Sequence, residues 1–172
     1  MSITPEEDEI EFTEDPVIMA VLGYVECLRD EFTEICAAGW SVDEAFFPFR
    51  PDDEDECEDE DEDGECSILS LRITGIEHPD IIETFGGVCM DGETVVNLEL
   101  VILRCFPLHE DGEAPTATEV TAASMEAAED RARAIKAISC CGGGIFTGIQ
   151  SWSPIGPQGG QFGGRLLFSI SV

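Results

Sequence analysis

The stretch ETVVNLELVILRCFPL, Glu93 to Leu108, decides the fold of this chain. Asn97 and Glu99 alternate with apolar residues, and this period of two predicts a long β-strand with one buried face. Pro107 has no backbone N–H to donate, so we expect the strand to end there. The residues predicted to point into the core are Val96, Leu98, Leu100 and Ile102.

Three further segments have the same alternation on either side of this strand. Residues 67–74 place Leu69, Leu71 and Ile73 on one side, which predicts a half-buried strand before the long one. Two more strands are predicted after it, roughly over 146–152 and 165–172. In the last of these, the apolar positions of one face are Leu166, Phe168, Ile170 and Val172.

A helix is predicted before the strands. Asp15 is a suitable N-cap and Pro16 suits the first helical position. Apolar residues recur at steps of three or four, which predicts about six turns ending near Ala38-Gly39, where glycine can close a helix. These apolar positions are Val17, Val21, Tyr24, Leu28, Phe32 and Ile35.

A second helix is predicted between the long strand and the last two. Thr116 and Glu119 have the spacing of a capping box, and the alanine-rich stretch 122–138 has high helix propensity. Gly142 to Gly144 follow and would stop the helix. The residues available for the core are Val120, Ala128, Ile135 and Ile138.

The order of these elements is α-β-β-α-β-β, which predicts an α+β fold. We expect an antiparallel four-stranded sheet with two helices packed on one face, plus an acidic surface loop. The aromatic segment 46–49 contains Phe46 and Phe47, and it is predicted to be irregular, serving either the core or a subunit contact.

Acidic residues dominate the chain and are concentrated at its start. The 172 residues carry 38 acids and 8 bases, a net charge of -30, and residues 1–66 alone contribute -23. Residues 1–15 form an acidic N-terminal arm, and 16–172 are predicted to be a single domain with an acidic insert at 51–65. A field this negative repels phosphate, so specific nucleic-acid binding and attachment to anionic lipid are disfavoured.

The acidic insert is predicted to be a mobile surface loop, because 12 of the 14 residues in 52–65 are acids that repel one another. Asp59, Asp61 and Asp63 have the alternate spacing of calcium ligands. The twelfth position is Ser70, where an EF-hand needs a bidentate Glu, so loose ion condensation is favoured over a dedicated site. A disulfide between Cys57 and Cys66, which flank most of the insert, is a second hypothesis.

The sequence gives little support to an enzyme. His78 and His109 lie in predicted loops, no Ser or Cys is in a nucleophile-elbow context, and the glycine clusters lack the order of a dinucleotide-binding fold. We therefore expect no catalytic residue, no cofactor and no metal beyond the weak calcium candidate. No run is apolar enough for a membrane helix, and the acidic start does not indicate a secretory signal.

The arrangement of elements resembles a known family. The stretches that carry the resemblance are 98–107, 119–141 and the Trp-x-Pro-x-Gly-Pro segment within 152–163. Together with the order of helices and strands over 16–172, they resemble the tail terminator, or tail-completion, proteins of long-tailed, siphovirus-type phages. The acidic insert departs from that pattern.

The resemblance implies a structural protein of the virion tail and neck, assembled in the host cytoplasm. It would form a hexameric ring at the head-proximal end of the tail tube, end tube polymerisation and join the tail to the head connector. Its partners would be further copies of itself, the tail tube protein, and a head-tail connector or stopper protein. DNA would pass through an acidic lumen without specific binding, and no membrane is involved.

Other classes of protein remain open at this level. The chain could be another neck protein, either a connector or a stopper. It could also be a halophile-adapted acidic binding module, although the concentration of acids in the first 66 residues counts against solvent adaptation, which should coat the whole surface. An enzyme or a calcium-dependent protein is the third alternative.

The turn-rich segment 152–164 is predicted to contact a neighbouring subunit or the tube. Deleting 157–163 is expected to leave a folded protein that no longer assembles, and deleting 52–63 is expected to leave assembly intact. The predicted interface residues are Trp152, Pro154, Gly156, Pro157, Gly159, Gly160, Phe162 and Gly163.

Overall fold

The structure is a computed structural model. It describes residues 15–35, 37–42, 45–48, 67–77, 81–84, 87–90, 93–106, 114–140, 145–158 and 160–172. The helices are α1 (Pro16–Glu31) and α2 (Ala117–Cys140). The strands are β1 (Ala37–Val42), β2 (Ala45–Pro48), β3 (Ile68–Glu77), β4 (Ile81–Thr84), β5 (Gly87–Met90), β6 (Val95–Cys105), β7 (Ile145–Gln158) and β8 (Gln161–Ser171).

Within these ranges, six strands form one mixed sheet in the order β2-β1-β3-β6-β8-β7, and β4 pairs with β5 separately. β1 runs parallel to β3, and the other neighbours are antiparallel. One row of paired residues crosses most of the sheet. It runs through Trp40, Leu71, Leu100, Leu166 and Trp152.

The α+β class and the two helices are therefore confirmed. The prediction of a four-stranded, purely antiparallel sheet was wrong, because the sheet has two more strands and one parallel pair. The four predicted strands are β3, β6, β7 and β8, and they are antiparallel as expected. β1 and β2 extend the sheet past β3. Residues 37–42 read AAGWSV, and apolar and polar residues do not alternate in them. The sequence therefore contained no periodic pattern that could predict β1, which pairs in parallel with β3.

α1 begins as predicted and ends earlier. The Asp15 carboxylate accepts hydrogen bonds from the backbone N–H of Val17 at 2.8 Å and of Ile18 at 3.3 Å. The helix closes at Phe32, seven residues before Gly39, so the prediction of six turns was wrong. Phe32 and Ile35 lie in the turn after α1, and both are buried. Their spacing matches that of a helix, so the apolar pattern extends beyond the last helical residue, Glu31.

α2 begins with the predicted capping box. The backbone N–H of Thr116 donates to Glu119 Oε2 at 2.7 Å, and the N–H of Glu119 donates to Thr116 Oγ1 at 3.3 Å. The predicted core positions Ile135 and Ile138 pack inward, whereas Val120 and Ala128 are exposed. The buried residues of α2 are Ala123, Asp130, Ala134, Ala137 and Ile138.

The larger of two hydrophobic clusters among the described residues lies between the two helices and one face of the sheet. Tyr24 of α1 packs against Phe168 of β8 with ring centroids 5.8 Å apart. All four inward positions predicted for the long strand are buried, as are three of the four predicted for β8. The alternation of apolar residues therefore identified the core face of both central strands.

The opposite face of the sheet carries polar side chains. Glu99 is 8% exposed and lies between Arg72, at 2.7 Å, and Arg165, at 3.4 Å. Asn97 accepts hydrogen bonds from Ser169 and Gln150 on this face. Arg72 and Arg165 neutralise the Glu99 carboxylate, which would be costly to bury alone.

Candidate functional site

An apolar groove lies between the first half of α2 and the hairpin formed by β7 and β8. Its volume is about 220 Å³. Small side chains on α2 and the ring of Trp152 leave this space open. The residues that line it are Phe106, Val120, Ala123, Ser124, Ala127, Ala128, Arg131, Trp152, Pro154, Ile155, Gly156, Pro157, Phe162 and Gly163.

Two adjacent glycines of β8 bring the wall of the groove close to the sheet. A Cβ at Gly164 would lie 2.0 Å from Cζ2 of Trp152, so the indole ring covers this glycine. Gly163 has φ +152°, and a Cβ there would lie 2.0 Å from the carbonyl oxygen of Ile102. Any other residue at either position would force a backbone or the indole to move.

The floor of the groove is an aromatic pair. Phe106 and Phe162 are both buried, and their rings meet edge to face with centroids 6.0 Å apart. The backbone N–H of Phe106 donates to the carbonyl of Gly160 at 2.7 Å, which ties the end of β6 to the hairpin turn. The floor is therefore fixed by both ring packing and a hydrogen bond.

Arg131 lies at the rim of the groove. Arg131 is exposed and makes no ion pair with any residue that the structure describes. Val120, which also lines the groove, has 39% of its surface exposed. In a chain of net charge -30, an arginine beside apolar surface that has no carboxylate partner among the described residues can attract an acidic segment.

A buried ion cluster lies next to the groove on the inner face of α2. Arg104 donates from Nε and Nη2 to the two carboxylate oxygens of Asp130, at 2.9 and 2.8 Å. Both residues are buried, with 8% and 2% of their surfaces exposed. Arg104 also donates to Glu34 at 2.7 Å, so β6, α2 and the turn after α1 meet at this guanidinium.

Arg133 extends this cluster toward α1. It donates to Glu34 at 2.6 Å and to the carbonyl of Glu31, and its guanidinium lies 4.3 Å from the ring centroid of Phe32. Lys136 lies 3.5 Å from the Glu31 carboxylate. The cluster is satisfied internally: in the described part of the chain, no buried side-chain N or O atom lacks a hydrogen-bond partner.

The cluster shifts the pKa of Glu34 and of Arg104. Burial alone would raise the pKa of Glu34, but hydrogen bonds from Arg133 and Arg104 outweigh it and hold this pKa at about 2. Burial opposes the charged form of Arg104, and its hydrogen bonds to Asp130 and Glu34 outweigh that effect and raise its pKa. These groups stay charged and paired at neutral pH, which suits a structural role.

Most of the predicted interface residues lie together at the groove. Six line it: Trp152, Pro154, Gly156, Pro157, Phe162 and Gly163. Gly160 lies in the hairpin turn with φ +80°, and Gly159 lies outside the described residues. Whether they contact another molecule stays a prediction.

The turn-rich segment between the last two predicted strands is itself mostly strand. β7 continues to Gln158 and β8 begins at Gln161, so most of the segment is a hairpin. Prolines occur there because β7 is an edge strand, where a missing N–H costs no ladder hydrogen bond. Deleting 157–163 would also remove the buried Phe162, so that deletion is expected to damage the fold.

The remaining predicted sites fall outside the described residues. These are the calcium candidates Asp59, Asp61 and Asp63, and the pair Cys57 and Cys66. Among the residues with described side chains, Cys27 and Cys105 take part in disulfides and Cys140 is a free thiol. Cys140 is exposed at the end of α2.

Two further kinds of feature are absent from the described ranges. No group of three or more His, Cys, Asp or Glu side chains is arranged to hold a metal ion. No helix in those ranges is long and apolar enough to cross a membrane.

Sequence reasoning missed Arg131 and the Arg104–Asp130 pair. A signal for the pair was present, because Arg104 follows Ile102 on the inward face of the long strand and so requires a buried acid. Asp130 is that acid, one helical turn before Ala134 on the inner face of α2. Arg131 left no such signal, since its place at the groove depends on the hairpin.

Comparisons with known proteins found no relatives. No protein-family model matches the chain, no curated protein is similar to it, and no solved structure matches its fold.

Proposed function

We propose that this protein is a structural subunit of a phage tail, similar to tail terminator proteins. It forms a ring of six copies at the head-proximal end of the tail tube, ends tube polymerisation and joins the tail to the head connector or stopper. The protein catalyses no reaction and needs no cofactor in this role.

The observation that carries the proposal is the convergence of three separate stretches on one groove. Phe106 comes from 98–107, Ala123 and Ala127 come from 119–141, and Trp152 comes from 152–163. These are the stretches whose sequence resembles tail terminators. A groove of small and aromatic side chains, accessible at Val120, suits a contact with another protein chain.

The sheet supplies a second surface suited to assembly. β7 is an edge strand, and Ile145 and Ile149 on it are 66% and 39% exposed. An edge strand with apolar residues can pair with another chain. The opposite edge of the sheet is β2. If β7 of each copy contacts a different surface of the next copy, repeated contacts produce a ring, provided that the rotation between successive copies adds up to a full turn.

The charge is compatible with DNA passage. A ring of subunits that each carry -30 would repel phosphate from its lumen, so DNA would pass without sticking. The same charge opposes assembly, because the copies repel one another. Salt and divalent cations should therefore favour the ring.

The proposal is tested by sedimentation velocity with two matched variants. Val120→Asp puts a charge at the groove, and Met19→Asp puts the same charge on an exposed apolar position of α1. The native protein and Met19→Asp are expected to form a discrete oligomer, and Val120→Asp is expected to stay monomeric with an unchanged melting temperature. A monomeric native protein, or a Val120→Asp oligomer like the native one, would contradict the proposal.

A further inference from the structure

The groove has a specific chemical character that indicates what it binds. Its walls are apolar, and Arg131 supplies a positive charge at the rim with no ion partner among the described residues. The complementary ligand is a short segment with apolar side chains next to carboxylates. A volume of about 220 Å³ accommodates one or two large side chains.

The N-terminal arm of this chain has that composition. Residues 9–12 read Glu-Ile-Glu-Phe, immediately before the α1 cap at Asp15. In an extended segment, successive side chains point to opposite sides, so Ile10 and Phe12 would share one side and the acids the other. The arm could therefore place an apolar side chain in the groove and an acid beside Arg131.

Residues 9–12 cannot reach the groove of their own chain. α1 and α2 run antiparallel: Glu31, at the end of α1, contacts Lys136, and Cys27, one turn earlier, lies in the same small surface pocket as Cys140. The first turn of α1 is thus the end farthest from the groove. Sixteen helical residues span about 24 Å. Even when fully extended, the three residues from Asp15 back to Phe12 span at most about 11 Å, which is less than half of the helix length.

We propose that residues 9–12 of one copy bind in the groove of a second copy, with Phe12 in the apolar space and Glu11 paired with Arg131. This inference rests on the proposed self-assembly and assigns one of its contacts. Each copy would then give its arm to one neighbour and receive an arm from the other, which is the head-to-tail arrangement of a ring.

Photo-crosslinking of the full chain tests the contact. Benzoylphenylalanine replaces Phe12, and the protein is a mixture of unlabelled and ¹⁵N-labelled copies. The expected product joins Phe12 of one copy to a peptide from 120–131 or 152–163 of another. The control carries the same probe at Met19, which is 51% exposed on α1 and is expected to give no such product.

Charge reversal supplies an independent readout. Arg131→Glu is expected to weaken self-association about tenfold, because two acids would then meet at the rim. Glu11→Arg is expected to weaken it similarly, and the double variant should recover most of the loss. Arg131→Lys keeps the charge and should remain close to the native protein.

The outcomes separate the two proposals. An assembled protein whose Phe12 probe labels other surfaces, labels its own chain or gives no product would overturn the arm contact and leave the ring in place. So would a double variant no better than the single ones. A protein that does not self-associate under any condition would contradict both.

Discussion

The indole ring of Trp152 occupies the space into which a side chain at Gly164 would project. A Cβ at Gly164 would lie 2.0 Å from the ring, and this glycine is paired with Pro154 across the hairpin. Gly163 is pressed equally closely against the backbone of Ile102. The glycines that suggest a loop in the sequence therefore allow a strand to lie directly beneath an aromatic ring.

Gly164→Ala is expected to lower the free energy of unfolding by about 1–3 kcal/mol, because the methyl group must displace the Trp152 ring. Gly156→Ala is the matched control, since nothing lies within 4 Å of a Cβ at that strand position. Its effect should stay within about 0.5 kcal/mol. Urea unfolding of both variants checks this, and equal stabilities would refute the packing described for Gly164.

Asp130→Ala is expected to destabilise the protein by about 3–5 kcal/mol, because it leaves Arg104 buried without its bidentate partner. Replacing both residues, with Arg104→Met and Asp130→Leu, should recover much of this loss. Arg72→Met is the control, since Arg72 is 54% exposed and Glu99 keeps Arg165; its effect should be below about 1 kcal/mol. Chemical denaturation would contradict the account if Asp130→Ala and Arg72→Met cost the same.

Acid is expected to remove the stabilisation that Glu34 provides. Its pKa is about 2 in the folded protein against an ordinary value of 4.5, so the unfolded chain takes up the proton first as the pH falls. The stabilisation is complete above about pH 4.5 and is lost as the pH falls toward 2. Because the side chain is 43% exposed, the effect should be only about 1 kcal/mol.

The measurement for Glu34 is the melting temperature of the native protein and of Glu34→Gln from pH 6 to pH 2. Acid also relieves repulsion among the many other carboxylates, so the difference between the two proteins is the informative quantity. The native protein should be the more stable above pH 4.5, and the difference should shrink toward pH 2. A difference that is constant across this range would show that Glu34 does not titrate as described.

Most of the central sheet could be predicted from the sequence, because its strands carry a buried face of period two. The alternation around Leu98 and Leu100 predicted β6 and the face of it that packs in the core. Pro107 predicted its end to within two residues. The end of α1 could not be predicted, since Phe32 and Ile35 are buried by a turn that continues the helical spacing. β1 depends on parallel pairing with β3, a contact between distant segments that no local pattern records.

The groove was predictable only in part. The segment from Trp152 to Gly163 stands out in sequence through its aromatic, proline and glycine residues, and seven of its members line the groove. The opposite wall is formed by Val120, Ala123 and Ala127, which have no distinguishing feature in an alanine-rich helix. Arg131 belongs to the site only because the hairpin packs beside α2.

Deleting residues 52–63 is expected to leave a folded protein that still assembles. The deletion removes eleven acids, so repulsion between copies should fall and assembly should need less salt than the native protein needs. Circular dichroism tests folding, and sedimentation velocity at several salt concentrations tests assembly. Loss of folding would show that the insert is part of the domain.

The central claim is that this chain assembles into a ring, and negative-stain electron microscopy across a salt series tests it most directly. The Debye length falls from about 10 Å at 0.1 M salt to about 3 Å at 1 M, so repulsion between copies of charge -30 weakens along the series. The account predicts rings of sixfold symmetry with an open lumen, more abundant as salt rises. Compact single subunits at every salt concentration would contradict it.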